Sequence, residues 1–296
     1  MNIGITGATG FIGRYVAAEA RRRGHRVVAF SRRPRAEAAF DEVRSLADPK
    51  AADFAGVEAM IHLAGEPILG LWTEGKKEAI RRSRVEGTRA LVERLGELAV
   101  PPRVLVCASG MAFYGDRGDE ELREGAARGE GFLAGVCREW EAAAGEAARF
   151  ARVVSLRTPM VLGKGGGAAD PLRRVFKLGL GGRLGSGRQW MSWIHAEDLA
   201  RLYLFACEEE SLRGPVNATA PHPVTNREFT EVVARAVHRP AWFPVPSAAL
   251  RCLPGGLAEV FLQSQRALPA AAAAAGFAWQ HPDLAVVARE VFAGER

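Results

Sequence analysis

Long apolar runs are missing from this sequence. No stretch approaches the roughly 18 residues that cross a bilayer, so no membrane-spanning helix is expected. Cysteine is scarce and scattered. Its four copies, Cys107, Cys137, Cys207 and Cys252, form no C-x-x-C pair, so neither a disulfide framework nor a zinc site is indicated. The six histidines are equally dispersed, and no metal is expected. The opening Met1-Asn2-Ile3-Gly4-Ile5-Thr6 lacks the basic start of a secretory signal and reads as a strand, which makes the cytoplasm the expected compartment. Lysine is rare too. Of 40 basic residues only 5 are lysine, so the net charge of +6 is an arginine charge. Its clusters (Arg21 to Arg23, Arg32 and Arg33, Arg81 to Arg84) lie on different elements without interleaved aromatics, which argues against nucleic acid and for small anionic molecules.

What is present is ordinary globular composition, 48% apolar and 25% charged over 296 residues, enough for a large α/β unit. The first 160 residues alternate short apolar runs with longer helical patterns, the signature of βαβ units and a parallel sheet. Strands are predicted at Asn2–Thr6, Arg26–Phe30, Ala59–Leu63, Val104–Ala108 and Val153–Leu156, and helices near Phe11–Arg23, Thr73–Leu98 and Phe132–Ala148. Gly24 stands where the first helix should end. From Gly163 the texture changes to closely spaced glycines through Gly187, which reads as loop rather than packed layer. Thr225-x-x-Glu228 is a capping-box pattern opening a helix, and Pro269 and Gly276 bracket a short alanine helix, Ala270–Ala275.

The strongest motif is Thr6-Gly7-Ala8-Thr9-Gly10-Phe11-Ile12-Gly13, between a predicted strand and a predicted helix. The first glycine permits the turn, the second lets backbone approach a pyrophosphate, and the third lets helix pack on strand. Free amides at the helix start face the phosphates with the favourable end of the dipole. Gly7, Thr9, Gly10, Phe11, Ile12 and Gly13 are therefore candidate cofactor contacts. The second strand ends in Ser31-Arg32-Arg33-Pro34 rather than in the acid that binds a ribose 2′-hydroxyl. A hydroxyl and guanidiniums suit a 2′-phosphate, so NADP(H) is the expected dinucleotide.

Further blocks carry a family resemblance. His62-Leu63-Ala64-Gly65-Glu66, Ser109 through Tyr114-Gly115, and Trp193-Ile194-His195-x-x-Asp198-Leu199 are similar to extended short-chain dehydrogenase/reductases. Trp140-Glu141-Ala142-Ala143, Val161-Leu162-Gly163-Lys164-Gly165-Gly166-Gly167, Gly185-Ser186-Gly187-Arg188-Gln189-Trp190 and Pro215-Val216-Asn217-Ala218-Thr219-Ala220-Pro221 resemble an atypical epimerase-like branch more closely. Members of that branch carry labels such as sugar-nucleotide epimerase or cell-division inhibitor. The likeness covers essentially the whole chain. It implies a Rossmann-like, doubly wound parallel α/β sheet over residues 1–162. Residues 163–296 would then hold the glycine-rich loops and a smaller C-terminal substrate-side lobe, part of which returns to the sheet. It also implies cofactor contacts from Ser31 and Arg32, from Leu63, Ala64, Gly65 and Glu66, from Arg84, and from Ser109, Pro159, Met160 and Val161 near the nicotinamide.

Ordinary members move a proton with a Tyr-x-x-x-Lys pair. The three tyrosines, Tyr15, Tyr114 and Tyr203, are followed four residues later by Glu19, Gly118 and Cys207, so the pair is absent. Aligning on Glu141 puts Cys137 in the lysine position and Leu133 in the tyrosine position, while the usual serine position falls on Gly110. Ser109 and Tyr114 become the candidate catalytic groups, with Glu66 and His195 behind them. Trp72, Trp190, Trp193 and Arg188 are candidate cleft walls. Two functions remain open: an NADP(H)-dependent oxidoreductase or epimerase acting on a small-molecule substrate, or a cofactor-binding sensor without turnover.

Overall fold

The computed structural model describes residues 1–35, 37–49, 51–241, 243–252 and 258–293. The first half runs β1 (Asn2–Thr6), α1 (Phe11–Arg22), β2 (Arg26–Ser31), β3 (Glu42–Ser45), β4 (Ala59–His62), α2 (Glu74–Gly96), β5 (Val104–Gly110), β6 (Glu121–Leu122), α3 (Phe132–Gly145) and β7 (Arg152–Thr158). Then follow β8 (Met160–Leu162), α4 (Ala169–Lys177), β9 (Trp190–Met191), β10 (Trp193–His195), α5 (Ala196–Glu208), β11 (Gly214–Asn217), β12 (Val224–Thr225) and α6 (Asn226–Ala236). The chain closes with α7 (Ser247–Arg251), α8 (Ala258–Leu262), β13 (Arg266–Ala267), α9 (Ala270–Ala274) and α10 (Leu284–Phe292).

Seven parallel strands form one sheet in the order β11-β7-β5-β4-β1-β2-β3. Helices cover both faces, which is why β4 is buried at every position and reads as a continuous apolar run. One face packs α1 and α5 through Val16, Ala20, Leu199 and Tyr203; the other packs α2 and α3 through Leu91, Leu95, Trp140 and Ala144. The expected doubly wound, Rossmann-like α/β fold is present. The chain adds strands outward from β1 to β3 and then crosses back to β4, so the connections that leave the carboxyl ends of the parallel neighbours β1 and β4 run to opposite faces and open a crevice at the switch point of the sheet.

Helix boundaries follow the local signals. Gly24 ends α1 at φ +78°, Thr73 caps α2 through Lys76 N at 3.2 Å, and Thr225 with Glu228 forms the capping box of α6. Pro269 and Gly276 bracket α9 as anticipated. Two sheet strands were not anticipated. β3 is an edge strand with two charged residues in four, held by Arg26–Glu42 and Arg44–Glu42 ion pairs, and β11 carries Pro215, which an edge position tolerates. The glycine-rich stretch also holds a nine-residue helix, α4, packed through Ala169 and Phe176 into the apolar cluster of α6 and α10. Among the described residues no helix is long and apolar enough to cross a membrane.

Candidate functional site

The crevice is lined by the turns that follow β1 and β4. Gly7 adopts φ +71°, and a Cβ there would stand 3.0 Å from Ala64 N, so the two turns touch backbone to backbone. Gly13 is more crowded still: a Cβ would lie 2.3 Å from Gly7 O and 2.6 Å from Ala8 O. At Gly10 the added atom would meet only Gly7 O, at 3.2 Å. Helix α1 starts at Gly10 without a side-chain cap and without an acid in its first turn. Its leading amides therefore keep both their hydrogen-bonding capacity and the positive end of the helix dipole for a ligand anion.

Around this cradle the cations stand out. Ser31 closes a tight turn with Arg33 at 3.2 Å, and Arg32 and Arg33 are exposed with no carboxylate partner among the described residues. Glu66 is bound by Lys76 at 2.6 Å, and its backbone amide is held by Ser83 at 3.0 Å. The Lys76 hydrogen bond, with the Arg32 and Arg84 charges, keeps the Glu66 carboxyl below its ordinary range. Arg84 is half-buried, donates to Glu66 O at 2.9 Å and Ile80 O at 3.3 Å, and lies 5.1 Å from the Trp140 ring centroid. Burial draws the Arg84 guanidinium below its usual pKa, and it has no carboxylate partner among the described residues. Pro159, Met160 and Val161 follow the carboxyl end of β7.

The two catalytic candidates are placed differently from expectation. Tyr114 is fully buried, its phenol pushed up by that burial. Its oxygen donates to Asn217 Oδ1 at 2.7 Å and accepts from Arg157 at 2.8 Å. With no exposed surface and its bonds committed, Tyr114 is corrected from a proton donor to a structural tie. Ser109, 4% exposed, donates to Glu141 at 2.7 Å, and Glu141 pairs with Arg157 through two bonds of 2.8 and 2.9 Å. The two aligned positions are neighbours: a Cβ on Gly110 would sit 3.4 Å from Cys137 Sγ. Burial pushes the Cys137 thiol up to about 11, so it is neutral and no replacement for a lysine. Tyr114→Phe is expected to cost about 1–3 kcal/mol by stranding Asn217 and an Arg157 N–H. Denaturant melts check this; an unchanged midpoint would remove the tie.

His195 caps α5 through Glu197 N at 3.3 Å, and Asp198 is fully buried. It accepts from Gln280 N, His281 N and Arg201, pinning the C-terminal segment to α5. His195, Glu197 and His281 bring ligand-type atoms within 4.8 Å of one another. Because His195 Nδ1 accepts from backbone, its proton belongs on Nε2, so no lone pair is offered to a cation there. Of the proposed walls, Trp72 and Trp193 are core, and Trp190 is half-buried beneath Arg266 at 4.6 Å, while Arg188 is exposed.

A family model described as the NAD dependent epimerase/dehydratase family matches residues 3–218. The chain belongs to that family. A second model, Domain of unknown function (DUF1731), matches residues 245–291. An epimerase family protein of Mycobacterium bovis is 40% identical over 287 residues, covering 94% of this chain and 93% of that one. The human epimerase family protein SDR39U1, solved with NADPH, superposes with a TM-score of 0.92 at 33% identity over 99% of both chains. A nucleoside-diphosphate sugar epimerase from Corynebacterium glutamicum reaches 0.80 at 32% identity over 99% of this chain and 58% of that one. Membership makes a nicotinamide dinucleotide the cofactor class of this chain. In this epimerase-family chain, sequence reasoning had missed the Arg157–Glu141 pair and Lys76. Arg157 ends a predicted strand and Glu141 lies on a predicted helix, yet nothing local to either marks the other as its partner.

Proposed function

We propose that the chain binds NADP(H) in the crevice and serves hydride chemistry, as an oxidoreductase or epimerase, on a small anionic substrate. The observation that carries this reading is the pairing of an uncapped, acid-free α1 start with arginines that lack carboxylate partners among the described residues. The residues fit the group: Gly7 and Gly13 leave no room for a side chain, and Gly10 is open on its outer side. Gly7, Thr9, Gly10, Phe11, Ile12 and Gly13 would hold the pyrophosphate, and Ser31 and Arg32 the 2′-phosphate. Leu63 to Glu66 and Arg84 would line the dinucleotide, with Pro159 to Val161 beside the nicotinamide. Bound there, the nicotinamide supplies a hydride donor or acceptor. The relative solved with NADPH supports the choice of dinucleotide.

Burial of Ser109 and Tyr114 favours a second reading, a cofactor-bound sensor that does not turn over. Ser109, near the carboxyl end of β5 and 4% exposed against 0% for Tyr114, is the one of the two proposed as a substrate-orienting group. NADPH is expected to bind about ten- to a hundredfold more tightly than NADH, the worth of a charge-assisted phosphate contact, and Arg32→Ala to remove that preference. Calorimetric titration of both dinucleotides tests it; equal affinities in the unaltered protein would overturn the assignment. A redox-substrate screen with Ser109→Ala then separates enzyme from sensor.

A further inference from the structure

Beneath the crevice lies a chain of three buried side chains. Thr6, at the end of β1, His62, at the end of β4, and Thr88, on α2, are 0%, 3% and 0% exposed. Thr6 Oγ1 stands 2.6 Å from His62 Nδ1, and His62 Nε2 stands 3.1 Å from Thr88 Oγ1. The same Thr6 oxygen accepts from the backbone amides of Leu63 at 3.2 Å and Ala64 at 3.3 Å. Donor counting then assigns every proton. A hydroxyl has one hydrogen and two acceptor positions. Leu63 N divides its hydrogen between Thr6 O, at 3.1 Å, and Oγ1, Ala64 N fills an acceptor position, and the Thr6 hydrogen meets no other acceptor among the described residues, so it points at Nδ1, which accepts it. The ring proton is left on Nε2 and is donated to Thr88.

We infer that His62 is a positioning residue: as the neutral Nε2–H tautomer it orients the Thr6 hydroxyl and so holds the Leu63–Ala64 turn against Gly7 in dinucleotide-binding geometry. The inference rests on the proposed cofactor reading for its effect on affinity, and on the hydrogen-bond chain alone for its effect on the turn. Contact between the turns is already tight, since a Cβ on Gly7 would lie 3.0 Å from both Ala64 N and Leu63 C. A turn that relaxes outward opens one wall of the crevice. Thr88 lies one helical turn after Arg84 on α2, so the same chain sets the depth at which Arg84 reaches Glu66 O. Burial pulls the His62 pKa down to about 4, consistent with a ring that cannot add a second proton without facing a donor.

The test compares His62→Leu, which removes both bonds, with His62→Asn, whose Oδ1 can replace Nδ1 as acceptor, and Thr88→Val. Amide hydrogen exchange at Leu63 and Ala64 is expected to rise about tenfold or more in His62→Leu and to stay near the unaltered rate in His62→Asn. NADPH affinity, measured where each variant is fully folded, is expected to fall about tenfold in His62→Leu and to recover in His62→Asn. Nitrogen-edited NMR of the ring should show the Nε2–H form throughout pH 5 to 8. A Nδ1–H tautomer, unchanged Leu63 and Ala64 exchange in His62→Leu, or full NADPH affinity in that variant would overturn the inference. Should His62→Leu fail to fold, Thr88→Val, which removes the Nε2 partner, is expected to raise Leu63 and Ala64 exchange in its place, and unchanged exchange there would overturn the inference. Absence of NADPH binding in the unaltered protein would defeat the cofactor reading instead, and the tautomer and exchange data would still judge His62.

Discussion

Glu141→Gln is expected to lower stability by about 3–5 kcal/mol, because it leaves the Arg157 guanidinium buried without its counter-charge. Arg157 is 3% exposed and Glu141 only modestly more, so little solvent is at hand to replace the lost partner. The guanidinium meets the carboxylate through two bonds, Tyr114 through a third and Glu124 O through a fourth, and it lies 3.5 Å from the Phe113 ring centroid. These contacts tie β5, the turn after it, α3 and β7 into one block. For a chain of this size the loss corresponds to a fall in melting temperature of roughly 6–20 °C. Replacing both charges, as Glu141→Leu with Arg157→Met, should cost less than Glu141→Gln alone, since no unpaired charge then remains. Calorimetry decides the matter, and a midpoint within about 2 °C of the parent for Glu141→Gln would show that the pair contributes little.

Gly13→Ala is expected to abolish dinucleotide binding and to destabilise the first βα unit as well. The new methyl would start 2.3 Å from Gly7 O, a backbone atom of the very turn that must keep its shape. Relief requires α1 to lift from the turn, and the amides of its first residues move with it. Gly10→Ala separates the two effects, since its methyl meets only one oxygen, at 3.2 Å, and otherwise points out of the protein. That variant should melt close to the parent and still lose NADPH, because the methyl occupies the pyrophosphate's line of approach. Paired melting and titration curves test both. Full NADPH affinity in Gly10→Ala, or unaltered melting and binding in Gly13→Ala, would show that the dinucleotide does not sit on this loop.

Much of the fold was legible because its signals are local. A strand buried on both faces is a run of apolar residues, a helix start is a capping residue, and a tight turn is a glycine at positive φ; each is written within a few adjacent positions. Asn2–Thr6, Ala59–His62 and the Thr225 capping box are of this kind, and so is the glycine loop. Edge strands were illegible for the converse reason: β3 is half solvated and held by ion pairs, so its sequence carries no apolar pattern. Proton chemistry was legible only as a lack. The missing Tyr-x-x-x-Lys could be counted, whereas the fate of Tyr114 could not, because its partners Arg157 and Asn217 are 43 and 103 residues away.

The sequence by itself determined the parallel α/β class, the glycine loop at residues 7–13, the lack of an acid after β2 and the loss of the usual acid–base pair. Tertiary structure alone decided which polar groups face the crevice and which are consumed in holding it together. Parallel pairing sets Ser109 opposite Arg157 and Thr6 opposite His62, and helix docking then brings Glu141 and Thr88 to complete each cluster. A buried polar side chain must be satisfied by whichever partner the packing delivers, and that partner comes from another element of the chain. For this reason residue type and spacing identified the glycine loop between β1 and α1, while the roles of Tyr114, Asp198, Arg157 and His62 emerged only once strand register and helix packing had brought distant residues together.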